Sequence, residues 1–241
     1  MVTNGTVNRS ILLLKYISFC FNSNSNITSR HYSGSVFVAL KPNGHSSGIE
    51  GNPTVFYRLM PGSTAQTNKL HTFYLQQRPD NGDTWADIKV NHPLDFETIK
   101  EYNLTVRVEN NGAQQLASEA TVYIQLEDVN DEIPLFTERE QETVLEGEPI
   151  GTKVTQVNAI DKDGTFPNNQ VYYYIVDSPR NEGKDFFEIN LQSGEIFTKV
   201  VFDREKQGAY ALEVEARDGA PSARPNSNQQ PNSALLRLRG V

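Results

Sequence analysis

Apolar and polar residues alternate with period two in several short stretches of the chain. Tyr102-Asn103-Leu104-Thr105-Val106-Arg107-Val108 is one, and Thr121-Val122-Tyr123-Ile124-Gln125-Leu126 is another. Such alternation turns one face to a core and the other to water, which predicts half-buried strands. The triplet Asp80-Asn81-Gly82 is a hairpin-turn signal between two such stretches. Tyr172–Tyr174 reads as a run of core and strand-face aromatics. No long segment has helical periodicity. The expected fold class is all-β, built from Greek-key, immunoglobulin-like β-sandwiches.

The pattern occurs twice. Leu94-Asp95-Phe96-Glu97 recurs as Phe202-Asp203-Arg204-Glu205, 108 residues on. Seven residues past each Asp, Tyr102, Leu104, Val106 and Val108 match Tyr210, Leu212, Val214 and Ala216 at the same offset. Upstream, Asn52–Tyr57 matches Asn168–Tyr173, and Ala39–Gly44 matches Ala159–Gly164. A period of about a hundred residues is one sandwich, so the chain reads as a tandem array. The boundary is Glu127-Asp128-Val129-Asn130-Asp131-Glu132-Ile133-Pro134, an acidic stretch closed by a proline that stops strand pairing. The expected organisation is a disordered Asn/Ser-rich segment at 1–35, a first module at 36–127, a linker at 128–134 and a second module at 135–241. The stretch Pro221–Pro231 reads as a polar loop.

Charge narrows the function classes. Lys and Arg number 22 against 30 Asp and Glu, for a net charge of −8. A nucleic-acid surface would need a basic stripe instead. The single cysteine, Cys20, excludes an intrachain disulfide framework and a cysteine-based zinc site. No run reaches the roughly 18 apolar residues of a membrane span. Arg9 ahead of Ile11–Phe21 sketches a weak signal peptide, and a buried strand accounts for the same residues. Asn4, Asn8, Asn26 and Asn103 each open an N-glycosylation triplet, which matters only in a secreted chain.

Four acidic clusters remain: Asp95/Glu97, Asp128/Asn130/Asp131, Asp161/Asp163 and Asp218. Alternate residues of an extended chain point the same way, so each Asp-x-Asp or Asp-x-Glu aims two carboxylates together. Sandwich loops gather at the ends of the module. The bottom of the first module and the top of the second would therefore meet at the linker. Seven carboxylates converging there (Asp95, Glu97, Asp128, Asp131, Asp161, Asp163 and Asp218) would repel strongly at low dielectric. A hard cation resolves this. Ca²⁺ takes 6–8 oxygen ligands, whereas Mg²⁺ prefers a tight octahedron and keeps its waters. Solvated loop acids are the plain reading of any single pair.

As a set, Leu-Asp-x-Glu, Asp-x-Asn-Asp followed by Pro, Asp-x-Asp-Gly and Ala-Arg-Asp resemble the calcium motifs of the cadherin family. Phe186-Phe187-Glu188-Ile189, followed by Ser193-Gly194-Glu195-Ile196, also fits a cadherin module, and this second module is similar to those of the insect neural branch. The resemblance covers residues 36 to 241. It implies Asp95 and Glu97 as ligands from the first module, and Asp128 and Asp131 from the linker, with the side-chain oxygen of Asn130. It implies Asp161, Asp163 and Asp218 from the second module, with the backbone carbonyl of Asn168. Glu132 departs from the Asn usual after the linker Asp. No upstream Glu stands before Val36, where the nearest alignment gives Asn26. The number of ions is open between one and three, and the site on Asp161, Asp163 and Asn130 is the most complete. Lys41, Asn43 and Asn110 stand where Asp161, Asp163 and Asp218 stand, so the top of the first module is expected to bind no calcium. Glu146, Asp203 and Glu205 match the ligands facing a third module, and form an incomplete second site or plain solvated acids.

The resemblance implies homophilic, calcium-dependent cell–cell adhesion between cadherin molecules at the cell surface. Membrane attachment would come only through parts outside this chain. The alternative is a truncated or secreted fragment that competes with a full-length partner. Neither a nucleic acid nor a small-molecule substrate is expected, and an enzyme is not. Gly44-His45-Ser46-Ser47-Gly48 fits a nucleophile elbow but lacks the helix that must follow it. Asp161-Lys162-Asp163-Gly164 fails as an EF-hand loop, because Phe166 and Tyr172 stand where Gly and Glu are needed.

Overall fold

Strands form where the period-two pattern predicts them. The computed structural model describes residues 28–32, 35–40, 55–80, 83–111, 117–137 and 143–239. The chain divides into two units, one ending at Asp128 and the other starting at Val129.

Unit 1 contains β1 (Thr28–Tyr32), β2 (Ser35–Leu40), β3 (Val55–Met60), β4 (Phe73–Asp80), β5 (Asp83–Val90), β6 (Glu101–Asn110) and β7 (Ala117–Gln125). They make two antiparallel sheets, β1-β2-β5-β4 and β3-β6-β7. Strand β2 pairs with β5 while β3 crosses to the other sheet, so the chain changes layers between β2 and β4. Asp80 pairs with Asp83 across the Asn81-Gly82 connection, in the expected hairpin. Within the Asn/Ser-rich segment 1–35, residues 28–32 and 35 are among those described. Thr28–Tyr32 is a strand laid antiparallel on Ser35–Leu40, from Thr28 opposite Ala39 to Tyr32 opposite Ser35.

Unit 2 contains β8 (Leu135–Phe136), β9 (Lys153–Gln156), β10 (Ala159–Ile160), β11 (Val171–Ile175), β12 (Phe187–Ile189), β13 (Glu195–Thr198), β14 (Ala211–Asp218) and β15 (Ser233–Arg239). Its sheets are β10-β8, β12-β13-β9 and β11-β14-β15. Gly194 turns the chain into β13 with φ +69, and a Cβ there would lie 2.2 Å from the Val157 carbonyl, so only glycine fits.

Each unit has its own core. In unit 1 the inward phase of β6 puts Tyr102, Leu104 and Val106 among Phe73, Ile88, Val122 and Ile124. In unit 2 the same phase of β14 puts Leu212, Val214 and Ala216 among Val157, Phe187, Ile196 and Leu238. Aromatic pairs tighten both cores: Phe73 and Tyr102 meet edge to face with centroids 4.9 Å apart, and Phe202 and Tyr210 form a tilted pair at 4.8 Å.

Candidate metal centre

The buried phase of β14 does not end with its apolar residues. After Leu212, Val214 and Ala216 the next inward position is Asp218, which is only 3 % exposed. A carboxylate carried inward by a strand needs partners. Asp218 Oδ1 accepts the Ala220 N–H at 3.3 Å, and Oδ2 accepts the Asn232 N–H at 2.9 Å.

The loop after β10 brings two more acids inward. Asp161 is 9 % exposed and Asp163 is 3 % exposed. They share a tight turn in which the Asp163 N–H donates to Asp161 Oδ1 at 2.9 Å. The segment Asn130–Glu132 ties the two groups together. Buried Asn130 donates its amide to the Ala220 carbonyl at 2.7 Å, beside Asp218, and the Glu132 N–H donates to Asp163 Oδ1 at 3.2 Å. Asn168 is half-buried on the loop that follows Asp163. Unit 2 thus gathers Asn130, Asp161, Asp163 and Asp218 at one pole. The donors are all oxygen, three of them carboxylates withdrawn from water, which is the donor chemistry of a hard cation such as Ca²⁺.

In unit 1, buried Leu94 anchors the turn that carries Asp95 and Glu97, both half-buried. Asp95 Oδ1 accepts the N–H groups of Glu97 and Thr98 at 3.0 and 3.2 Å, and Oδ2 accepts the Thr98 hydroxyl at 2.7 Å. Partial burial pushes the Asp95 pKa up, but these donors outweigh it and hold the carboxyl below its ordinary value. Asp128, the last residue of the unit, is half-buried.

The matching turn of unit 2 is anchored by buried Phe202. Carboxylate oxygens of Glu146, Asp203 and Glu205 lie within 4.8 Å of one another there. The Arg204 N–H donates to Glu146 at 3.2 Å, and the Lys206 ammonium pairs with Asp203 at 3.0 Å. The hydrogen bond from Lys206 is the main reason the Asp203 pKa is lowered. This cluster is mostly exposed and already contains a cation.

Two contributors were not legible in the sequence. Asn232, 7 % exposed, donates its amide to Asn130 Oδ1 at 2.5 Å and accepts the Ser222 hydroxyl at 2.6 Å. Arg224 donates to the Asp131 carbonyl at 3.0 Å, and the Ala223 N–H to the Asn130 carbonyl at 2.7 Å. The stretch Pro221–Pro231 is therefore bound back onto the linker. No spacing rule signals this, because Asn232 acts across 102 residues. Asn103 stands exposed on β6. Asn4, Asn8 and Asn26, with Ile11–Phe21, Cys20, Lys41, Asn43 and Gly44–Gly48, lie outside the described residues, as does the side chain of Asn110.

Two sandwiches in tandem, with buried acids at the pole where the second begins, define a class of repeating β-sandwich module. The Cadherin domain matches twice, at residues 44–127 and 140–234, and the chain belongs to the cadherin family. Among its relatives, Neural-cadherin of Drosophila melanogaster is 92% identical over 206 residues, 86% of this chain and 6% of that protein. Cadherin-related hmr-1 of Caenorhabditis elegans is 34% identical over 217 residues, 85% of this chain and 7% of that protein. The chain therefore spans only a small part of these relatives. The solved structure of protocadherin gamma B2 extracellular domains 3–6 aligns with a TM-score of 0.65 at 27% identity, over 85% of this chain and 44% of that one. Mouse cadherin-23 EC22–24 aligns with 0.60 at 27% identity, over 88% and 60%. The family places such modules outside the cell or at its surface. Among the described residues, no helix is long and apolar enough to cross a membrane.

Proposed function

We propose that the chain supplies two cadherin repeats to a homophilic cell–cell adhesion molecule, stiffened by calcium at their linker. The observation that carries this reading is the pole of unit 2, where Asn130, Asp161, Asp163 and Asp218 are all buried. Bound Ca²⁺ would supply the positive charge that lets such carboxylates stay ionised away from water. Asp161, Asp163 and Asp218 are the anionic ligands, and the Asn130 side chain and Asn168 carbonyl are neutral ones. Asp131 and Asp128 would serve from the linker, and Asp95 and Glu97 from unit 1. The turn at Asp95 supports this role, since its donors keep the carboxylate ionised. Fixing the linker lowers the ordering entropy that a floppy array would lose when two cell-surface molecules dock. The partner in that docking is a second molecule of the same kind.

Calorimetric titration of the chain with calcium tests the reading. Saturation is expected in the millimolar range or below, and at a hundredfold excess over Kd binding should stabilise the fold by about 2.7 kcal/mol. Asp131→Ala should weaken binding far more than Glu205→Ala, because Lys206 already compensates the Glu205 cluster. Absence of binding at millimolar calcium, or equal losses in the two variants, would refute it.

A further inference from the structure

The outer face of β3-β6-β7 carries a residue that the fold does not explain. Asn103 lies within the ten-residue central strand β6, between the fully buried Leu104 and the buried Tyr102. Asn is depleted from strand interiors, because its side chain competes for backbone hydrogen bonds. Here it is exposed, and its amide makes no hydrogen bond among the described residues. Its neighbours on the same face do have partners. Arg107 bonds Glu109 and Glu119, and the Tyr123 hydroxyl, on the residue opposite Asn103, donates to Glu101. The position 108 residues on is Ala211, so the matched strand β14 manages without an amide.

Asn103 opens the triplet Asn103-Leu104-Thr105. In a strand, residues two apart share a face, so the Thr105 hydroxyl lies on the same side as the Asn103 amide. Leu104 points into the core, so a group attached to Asn103 would project into solvent without disturbing packing. We infer that Asn103 is an N-glycosylation site, and that its glycan covers the outer face of β3-β6-β7. In the transfer, Nδ2 of Asn103 loses a proton and bonds to the anomeric carbon of an oligosaccharide held on a polyprenyl pyrophosphate. The anomeric C–O bond to the pyrophosphate breaks, and the carrier leaves with the electron pair. A glycan there would exclude close protein contact from that face.

The chain, secreted from mammalian cells, would be treated with peptide-N-glycosidase in heavy-oxygen water and digested with trypsin. The peptide Glu101–Arg107 reports this site apart from the other three triplets. Most copies should carry the heavy-oxygen Asn103→Asp mark. The mark should vanish in Thr105→Ala and persist in Thr105→Ser, which keeps the hydroxyl at similar strand geometry. In Asn103→Gln the intact mass should fall by one glycan. A secreted wild-type chain in which this peptide is mostly unmodified would overturn the inference, as would a mark that survives Thr105→Ala.

Discussion

The two units differ least in their strands and most in their acids. Strands β6 and β14 hold the same inward phase, with Leu104 and Val106 matched by Leu212 and Val214, all fully buried. The turns before them also match. Asp95 and Asp203 each accept the N–H of the residue two further on, at 3.0 and 3.2 Å. Beyond that they diverge. Thr98 satisfies the second oxygen of Asp95 with a hydroxyl, whereas Lys206 meets that of Asp203 with an ammonium. At its inward end β14 carries a buried carboxylate, while β6 has Asn110 at the corresponding position. The lesson is that the sandwich is a scaffold maintained by apolar periodicity, while ligand chemistry sits at strand ends and turns, where it can change without refolding the core.

The strongest way to break this comparison is to damage one core and watch the other. Leu212→Ala and Leu104→Ala each remove a fully buried side chain, and each should cost about 2–5 kcal/mol. Because the two cores share no residue, hydrogen exchange should show protection lost in β11, β14 and β15 for the first variant and in β3, β6 and β7 for the second. Loss of protection in both units from either change would mean that the cores are not independent.

A smaller effect is expected where the unit 2 pole is held together. Asn232→Ala would strip Asn130 Oδ1 of its donor and the Ser222 hydroxyl of its acceptor, both in buried surroundings. The cost should be about 1–3 kcal/mol in urea unfolding. Calcium affinity should fall as well, because the Asn130 side chain keeps its bond to the Ala220 carbonyl but loses the second bond that orients its oxygen. A variant with unchanged stability and unchanged calcium binding would show that the pole is positioned by the acids alone.

The contrast between units also explains what could be read from residues alone. Period-two alternation located β6, β7 and β14, since a one-residue slip would expose Leu104 or Leu212 to water. The acids were legible because Asp95-x-Glu97 recurs as Asp203-x-Glu205 at an offset of 108, and because Asp-x-Asn-Asp, Asp-x-Asp-Gly and Ala-Arg-Asp stand together as a set. Their supporting shell was not. Asn232 and Arg224 act on the linker from more than ninety residues away, and a polar loop shows no periodicity to betray its contacts. Strand β1 was not singled out, because Thr28–Tyr32 carries no period-two alternation of its own and is defined by its pairing with β2. The cation among the Glu146, Asp203 and Glu205 carboxylates was missed because Lys206 lies outside the motif that drew attention.

The smallest predicted effect separates the two turns by charge. Thr98→Val removes the neutral donor to Asp95, and Lys206→Met removes the cation beside Asp203. Asp95 has its pKa depressed in the folded chain, so its ionised form contributes stability above the ordinary carboxylate pKa of about 3.9, and that contribution is lost as pH falls through the lower folded value. Thr98→Val should therefore cost about 1 kcal/mol at neutral pH, with the deficit shrinking in acid and nearly independent of salt. Asp203 is also depressed, chiefly by the Lys206 hydrogen bond, but this pair is open to water, where mobile ions screen it. Lys206→Met should cost less than Thr98→Val at low ionic strength and nothing measurable in molar salt. Urea midpoints for both variants, at two pH values and two salt concentrations, decide the matter. A Lys206→Met deficit that survives molar salt would make the two turns electrostatically alike and erase the distinction drawn between them.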